Sequence, residues 1–327
     1  MFFFRLILSR TRHLCYGSAC FHAPRASVNR FALLFVLFAL ATASFAADKS
    51  VTRAKASKAP RAIADVDKDG DPNLLSSAAL VLDANTGETL FAKNADQVLP
   101  IASITKLMTA MVVLDAKLPL DEAIQISSED LDTLKGTKSR LPVGAHFRRD
   151  DLIRIALVAS DNRAAAALGR SYPGGIDAFV AAMNAKARLL GLEATQFVDA
   201  SGLAPGNVSS PAELGRLVAA SSRYDIIRDY STTVALDVTL PNTGRKVNYV
   251  NTNALVRAGD WDIGVSKTGY ISESGKCLVM QAIIANTPIV IVLLDSWGRL
   301  TRIGDANRIK RWLEKNPTKL AGALRAG

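Results

Sequence analysis

The chain has 327 residues, of which 49% are hydrophobic, 21% charged and 6% aromatic. That balance excludes a disordered or multi-span membrane chain and leaves room for a sizeable core. Basic residues exceed acidic ones by ten, but Arg5, Arg10, Arg12, Arg25 and Arg30 all fall in an N-terminal stretch without acids. The remaining body is only mildly basic, which requires no nucleic-acid partner and would equally suit a polyanionic wall.

Phe31 to Leu40 (FALLFVLFAL) is an apolar run preceded by Arg30 and followed by small residues. Ser44 and Ala46 fit the small-x-small pattern of signal peptidase, so residues 1–46 read as a presequence cleaved after Ala46. The run is shorter than the roughly 20 residues a membrane span needs, so no stable membrane anchor is expected. Export to the periplasm follows. Residues 47–73 read as a flexible, solvated linker. Within it, Asp65 to Gly70 imitates the start of a calcium loop, but the twelfth position is Ser76 instead of a bidentate Glu, so no calcium site is expected.

The folded body is expected from residue 74 to 316, with residues 317–327 as a tail. Ala78 to Leu82 and Thr89 to Ala92 read as a hairpin around Asn85-Thr86-Gly87. Ile104 to Ala116 has the length and apolar content of a helix. Leu152 to Arg170 and Ile176 to Leu190 are helical in pattern. Ser210-Pro211-Ala212-Glu213 opens another helix, with a cap Ser and Pro in the first turn. Strand character returns in Trp261 to Ser266, Cys277 to Ala285 and Ile289 to Leu294, and Asp305 to Lys315 closes with a helix. Strands at both ends around a helical middle make an α+β fold: an antiparallel sheet flanked by helices, with a helical subdomain inserted.

Cysteine and histidine content narrows the chemistry. Beyond residue 46 only Cys277 and His146 remain. No intramolecular disulfide is then possible, and Cys277, in the apolar run Cys277-Leu278-Val279-Met280, reads as a core thiol. A zinc hydrolase needs clustered imidazoles or thiolates, so no metal and no cofactor are expected. A Ser-His-Asp hydrolase would have to rest on His146 alone.

Three short motifs remain: Ser103-Ile104-Thr105-Lys106 at the start of an apolar helix, Ser160-Asp161-Asn162 interrupting the Ala-rich region, and Lys267-Thr268-Gly269 ending a strand. Each alone is weak. Together they are the signature set of penicillin-recognising serine enzymes. At i and i+3 on a helix, Lys106 can point its amine at the Ser103 hydroxyl. The positive end of the helix dipole favours negative charge developing at Ser103. Lys106 must lose pKa to act as a base, through burial and a second cation, for which Lys267 is the candidate. Lys267 is equally suited to hold a substrate carboxylate. Ser160 can relay a proton to a leaving amine, and Asn162 can bond both Lys106 and a substrate carbonyl. Gly269 would let a strand edge approach and pair with a peptide.

With these motifs the chain resembles the low-molecular-mass penicillin-binding proteins, the D-alanyl-D-alanine peptidases of serine peptidase family S11. Further segments look like the endopeptidase branch, of the penicillin-binding protein 7 type: PIASITKLMTAMVVLDAKLPLDE (100–122), LKGTKSRL (134–141), NRAAAALG (162–169), FVAAMNAKARLL (179–190), YVNTNALV (249–256) and GKCLVM (275–280). The likeness spans residues 74 to 316. It implies a β-lactamase/transpeptidase-like fold, with Ser103 as acylated nucleophile, Lys106 as general base, and Ser160 and Asn162 as the second active-site element. Lys267, Thr268 and Gly269 would bind substrate, and the backbone N–H groups of Ser103 and Tyr270 would form the oxyanion hole. The middle motif carries Asp161 where that branch often has Glu, and no direct part falls to Asp161. The implied partners are peptidoglycan stem peptides as substrate and β-lactams as covalent inhibitors. A D-alanyl-D-alanine carboxypeptidase uses the same residues. A β-lactamase is less expected, because the sequence has no Glu in a plausible loop to activate a deacylating water. From another class, a catalytically silent penicillin sensor or wall-binding scaffold would carry the same fold, although the complete trio argues against lost chemistry.

Overall fold

The structure is a computed structural model that describes residues 64–241 and 243–323. The presequence, its cleavage point and the linker up to residue 63 lie outside the described residues. The chain opens with β1 (Ala78–Asp83), buried on both faces as its run AALVLD dictates. It turns through the expected hairpin into β2 (Thr89–Lys93), with Asp83 Oδ1 accepting from Asn85 N at 2.7 Å and Gly87 at φ 75°.

After the two-residue strand β3 (Leu99–Pro100), a 3-10 turn (Ala102–Ile104) leads into α1 (Thr105–Asp115). Nine residues of α1, Thr105 to Val113, are buried, which makes it a central helix and not an amphipathic surface one. The inserted region then runs β4 (Ala123–Gln125), β5 (His146–Arg148), α2 (Arg149–Val158), α3 (Asn162–Arg170), α4 (Gly175–Leu189), β6 (Val208–Ser209), α5 (Pro211–Ser221), α6 (Asp225–Thr232), β7 (Ala235–Thr239), β8 (Lys246–Val250) and α7 (Ala254–Ala258). The expected cap of α5 is present: Glu213 N donates to Ser210 Oγ at 3.3 Å, and Pro211 occupies the first turn. The two-stranded pairs β3-β6, β4-β5 and β7-β8 were not anticipated, because short half-exposed strands carry little periodicity.

Three long strands close the sheet: β9 (Asp262–Ile271), β10 (Gly275–Ile284) and β11 (Thr287–Ser296). The order is β2-β1-β11-β10-β9, antiparallel throughout, so β9 is an edge. One face, including Leu80, Val279 and Val292, packs on the helical insert. There α5 comes close through Gly215, where a Cβ would lie 2.8 Å from Leu80 Cδ2. The other face, including Val81, Met280 and Ile291, is covered by α8 (Thr301–Lys315) through Ile309, Trp312 and Leu313. Cys277 is fully buried, and burial pushes its thiol up to about 11. No described helix is long and apolar enough to cross a membrane.

Three expectations are corrected. Lys267-Thr268-Gly269 does not end a strand but lies inside β9, which continues to Ile271. The linker expected to reach residue 73 is anchored from Asp65 on. Arg311 pairs with the Asp65 carboxylate, Trp312 Nε1 donates to Gly70 O at 2.9 Å, and Val66 bridges Pro72. The calcium-like loop inside it is closed by its own backbone, Asp67 Oδ1 accepting from Asp69 N and Asp71 N at 2.9 and 3.0 Å. Where a tail was expected, Pro317–Ala323 forms α9, with Leu320 buried against the α8 side of the sheet.

Candidate active site

Ser103 lies in the 3-10 turn, two residues before α1 begins, and not in the α-helix itself. The register of the motif survives. Lys106 sits in the first turn of α1, 1% exposed, and its Nζ lies 2.9 Å from Ser103 Oγ, 2.7 Å from Asn162 Oδ1 and 2.6 Å from the Ser201 carbonyl oxygen. No carboxylate is among these partners, and no salt bridge among the described residues includes Lys106. Burial therefore pushes its pKa down to about 7, against the opposing pull of the Asp199 and Asp161 carboxylates. Burial is the leading cause; the repulsion between the Lys106 and Lys267 cations falls on Lys267.

Proton bookkeeping sharpens the arrangement. Thr137 Oγ1 donates to Asp132 Oδ2 at 2.6 Å, so towards Asn162 it can only accept, and Asn162 Nδ2 donates to it at 2.9 Å. That fixes the amide and aims Asn162 Oδ1 at Lys106. Asn162 Oδ1 and the Ser201 carbonyl are both pure acceptors, and a neutral amine has two N–H groups to give them. Its lone pair is then left facing Ser103 Oγ. A neutral Lys106 in this setting can take the serine proton.

Across the cleft, Lys267 on β9 is also 1% exposed. Its Nζ donates to Ser160 Oγ at 2.7 Å and to the Thr268 carbonyl at 2.9 Å. Burial first, and then the Lys106 and Arg302 cations, press its pKa well below the usual lysine value. Such a group gains strongly from a bound anion. Thr268 Oγ1 donates to Thr252 Oγ1 at 2.7 Å. Ser160 itself has φ 58° and Ala102, just before Ser103, has φ 47°. Both are left-handed conformations that cost about 1–3 kcal/mol for a non-glycine residue, one at the Lys267 contact and one in the turn that carries Ser103.

Gly269 shows why β9 reads as it does here. A Cβ on it would lie 2.8 Å from Ile101 O and 3.2 Å from Ser103 N, so only glycine lets the strand edge press against the serine turn. This places Tyr270, next along β9, beside the same turn. Asp161 caps α3 by accepting from Ala164 N at 3.0 Å and accepts a further bond from Ser139 Oγ at 2.8 Å. Its role is positional. His146, on β5, is exposed and outside this network.

With this geometry in view, comparison with known proteins is decisive. A model of the peptidase S11 family, described as D-alanyl-D-alanine carboxypeptidase, matches residues 65–297. The chain belongs to peptidase family S11. A D-alanyl-D-alanine endopeptidase of Pseudomonas aeruginosa is 47% identical over 241 residues, covering 74% of this chain and 78% of that protein. One of Escherichia coli is 43% identical over 243 residues, with the same shares. Among solved structures, the Streptomyces K15 DD-transpeptidase aligns over 74% of this chain and 97% of its own at TM-score 0.69 and 27% identity. Penicillin-binding protein D2 of Listeria monocytogenes, solved in an ampicillin-bound form, aligns over 73% and 98% at TM-score 0.63 and 29% identity. The fold of this S11 member is accordingly the β-lactamase/transpeptidase-like α+β fold.

Three groups at the site escaped the sequence reading. Asp199 gathers the loop 199–207, its carboxylate accepting from the backbone N–H of Ser201 (2.6 Å), Gly202 (2.6 Å) and Ala204 (2.8 Å) and from Asn207 Nδ2 (2.9 Å). This sets the Ser201 carbonyl on Lys106. Gly202, at φ +83°, packs so closely on the serine turn that a Cβ would sit 1.9 Å from Ala102 O. Asp132 and Thr137 orient Asn162, as above. Arg302 on α8 donates to Gly269 O at 3.3 Å beside Lys267, from a position 33 residues beyond the motif. The loop did carry a faint signal, Asp-x-Ser-Gly with an Asn five residues on; Arg302 carried none.

Proposed function

We propose that this S11 enzyme is a peptidoglycan DD-endopeptidase that cuts D-alanyl cross-links through an acyl-enzyme on Ser103. The observation that carries the mechanism is the buried amine of Lys106, held 2.9 Å from Ser103 Oγ with no countercharge in contact. Neutral Lys106 takes the hydroxyl proton as Ser103 Oγ attacks the D-Ala carbonyl carbon. The oxyanion is held by the backbone N–H groups of Ser103 and Tyr270. On collapse the C–N bond breaks, and the departing amine, which belongs to the neighbouring stem, receives a proton relayed through Ser160. Lys267 holds a carboxylate on the leaving side, with Thr268 and Gly269 lining the strand edge. Water, deprotonated by Lys106, then attacks the ester carbonyl, giving a free D-Ala carboxylate and restoring Ser103.

The reading as an endopeptidase rests on the high identity to two proteins of that name, and on the segments at 100–122 and 134–141. β-Lactams would acylate the same hydroxyl, since the ring-opened drug is an ester of Ser103. The leader-like N-terminus supports a periplasmic location, where the substrate lies. Digestion of purified peptidoglycan tests the reading. Cross-linked dimers should be cut to monomers, with little D-Ala freed from monomeric pentapeptides, and Ser103→Ala should be inert. Release of D-Ala from pentapeptides with dimers left intact would instead make the enzyme a carboxypeptidase.

A further inference from the structure

The cleft that holds Ser103 has two walls. One is the edge strand β9 with its turn into β10; the other is the loop 132–141, joined to the second motif through Thr137–Asn162 and Ser139–Asp161. Among the described residues one ion pair links these walls. Lys135 Nζ, on the loop, lies 2.5 Å from Glu273 Oε1, on the β9–β10 turn. Both charges are presented by braced turns. Asp132 Oδ1 accepts from the backbone N–H of Leu134 (2.8 Å) and Lys135 (2.9 Å). Ser274 Oγ accepts from Ile271 N at 3.1 Å, and Ser272 Oγ donates to Glu273 Oε2 at 2.8 Å. Neither side chain is buried: 27% of Lys135 and 39% of Glu273 stay exposed. An exposed pair of this kind is worth little to stability, so stability gives no reason for so much bracing.

Position along β9 supplies one. A peptide that pairs with this edge, with its leaving side at Lys267 and its scissile carbonyl at Tyr270 N–H, must run its acyl portion towards residues 271–273. Glu273 lies in the β9–β10 turn, two residues past the end of β9 at Ile271. That is where the residues preceding the scissile D-Ala come to lie. Resting on the endopeptidase reading, we propose that Lys135 and Glu273 form a charge-paired subsite for the diamino acid of the acyl stem. Glu273 receives its free side-chain ammonium, and Lys135 receives a stem carboxylate. In the absence of substrate the two residues satisfy each other; when a stem enters, each exchanges its partner for an ion of the substrate. The exchange conserves charge pairing and so costs little, while a stem lacking the amine would leave Glu273 facing a paired lysine and gain nothing. Cross-link chemistry makes the amine a constant feature: every stem that can accept a cross-link carries one, and in the donor stem of a dimer it is free.

The experiment compares wild type with Glu273→Gln and Lys135→Gln on cross-linked muropeptide dimers, with benzylpenicillin acylation measured on each as its own reference. The expected result is a ratio of dimer kcat/KM to penicillin acylation lower by about ten- to a hundred-fold in each variant, the range for losing one charge-assisted hydrogen bond. N-acetylating the free amine of the dimer should slow wild type to the Glu273→Gln level and leave Glu273→Gln unaffected. An unchanged ratio in both variants, or faster cleavage of both ligands, would overturn the subsite and make the pair a plain strap. Failure of wild type to cut any dimer would overturn the endopeptidase reading instead, and the acetylated and free pentapeptides would then test the subsite by the same comparison.

Discussion

Two buried charges on opposite faces of the sheet have opposite fates. On the α8 face, Asp305 is fully buried, and its carboxylate accepts from Ser76 N at 2.7 Å, Ser76 Oγ at 2.6 Å and Leu75 N at 3.1 Å, with Arg308 paired one helical turn on. On the insert face, Lys106 is as deeply buried but meets only neutral oxygens. Asp305 stitches the segment before β1 to α8; Lys106 is left on the verge of losing its proton. A buried charge with a countercharge becomes architecture, and one without becomes a base.

The contrast is broken most severely at the reacting pair. Ser103→Ala should abolish covalent labelling by a fluorescent penicillin. Lys106→Ala should slow it by about 10²–10⁴, the range for removing a general base. Lys106→Met should in addition be more stable than wild type at pH 7, read by thermal melting. The sign follows from linkage. A lysine whose folded pKa is lowered to about 7 binds fewer protons folded than unfolded between about 7 and 10.5. Its burial therefore opposes folding at neutrality, and wild-type stability should rise with pH across that window.

Asp305→Ala should act on the other side of the comparison. It leaves Arg308 and two backbone N–H groups unpaired, with a cost of about 3–5 kcal/mol in denaturant unfolding, the range for breaking a buried ion pair. Penicillin acylation per folded molecule should hardly change. Lys267→Ala should weaken acylation roughly ten- to a hundred-fold by loss of a charge-assisted bond to the carboxylate, with Lys267→Arg keeping part of it. Asp199→Asn should have the smallest effect. It removes a carboxylate that raises the Lys106 pKa and keeps one oxygen for the Ser201 and Gly202 N–H groups, its NH2 facing the Ala204 and Asn207 donors, so per folded molecule the acid limb of the acylation profile should move to lower pH.

The motif positions were legible because their chemistry is local in sequence: Ser103 and Lys106 share one turn, and Lys267 to Gly269 one strand. The hairpin and α5 were legible from turn and cap residues. What stayed hidden depends on distance. Of the partners of Lys106, Asn162 was legible as part of the second motif, but the Ser201 carbonyl, 95 residues away, was not, and no period in the sequence joins it to α1. The anchoring of Asp65 to Arg311, 246 residues apart, was hidden for the same reason, and the polar composition around Asp65 read as linker. The burial expected to lower the Lys106 pKa is present, but its extent was not legible, since a sequence does not show that α1 is buried on every side.

The central claim is that burial with no countercharge in contact makes Lys106 a base near neutrality. The direct measurement is an NMR titration of the lysine side chains in the apo-protein, with Lys106→Met assigning the resonance. The account predicts that Lys106 titrates near 7. A midpoint at the ordinary lysine value, near 10.5, would contradict it.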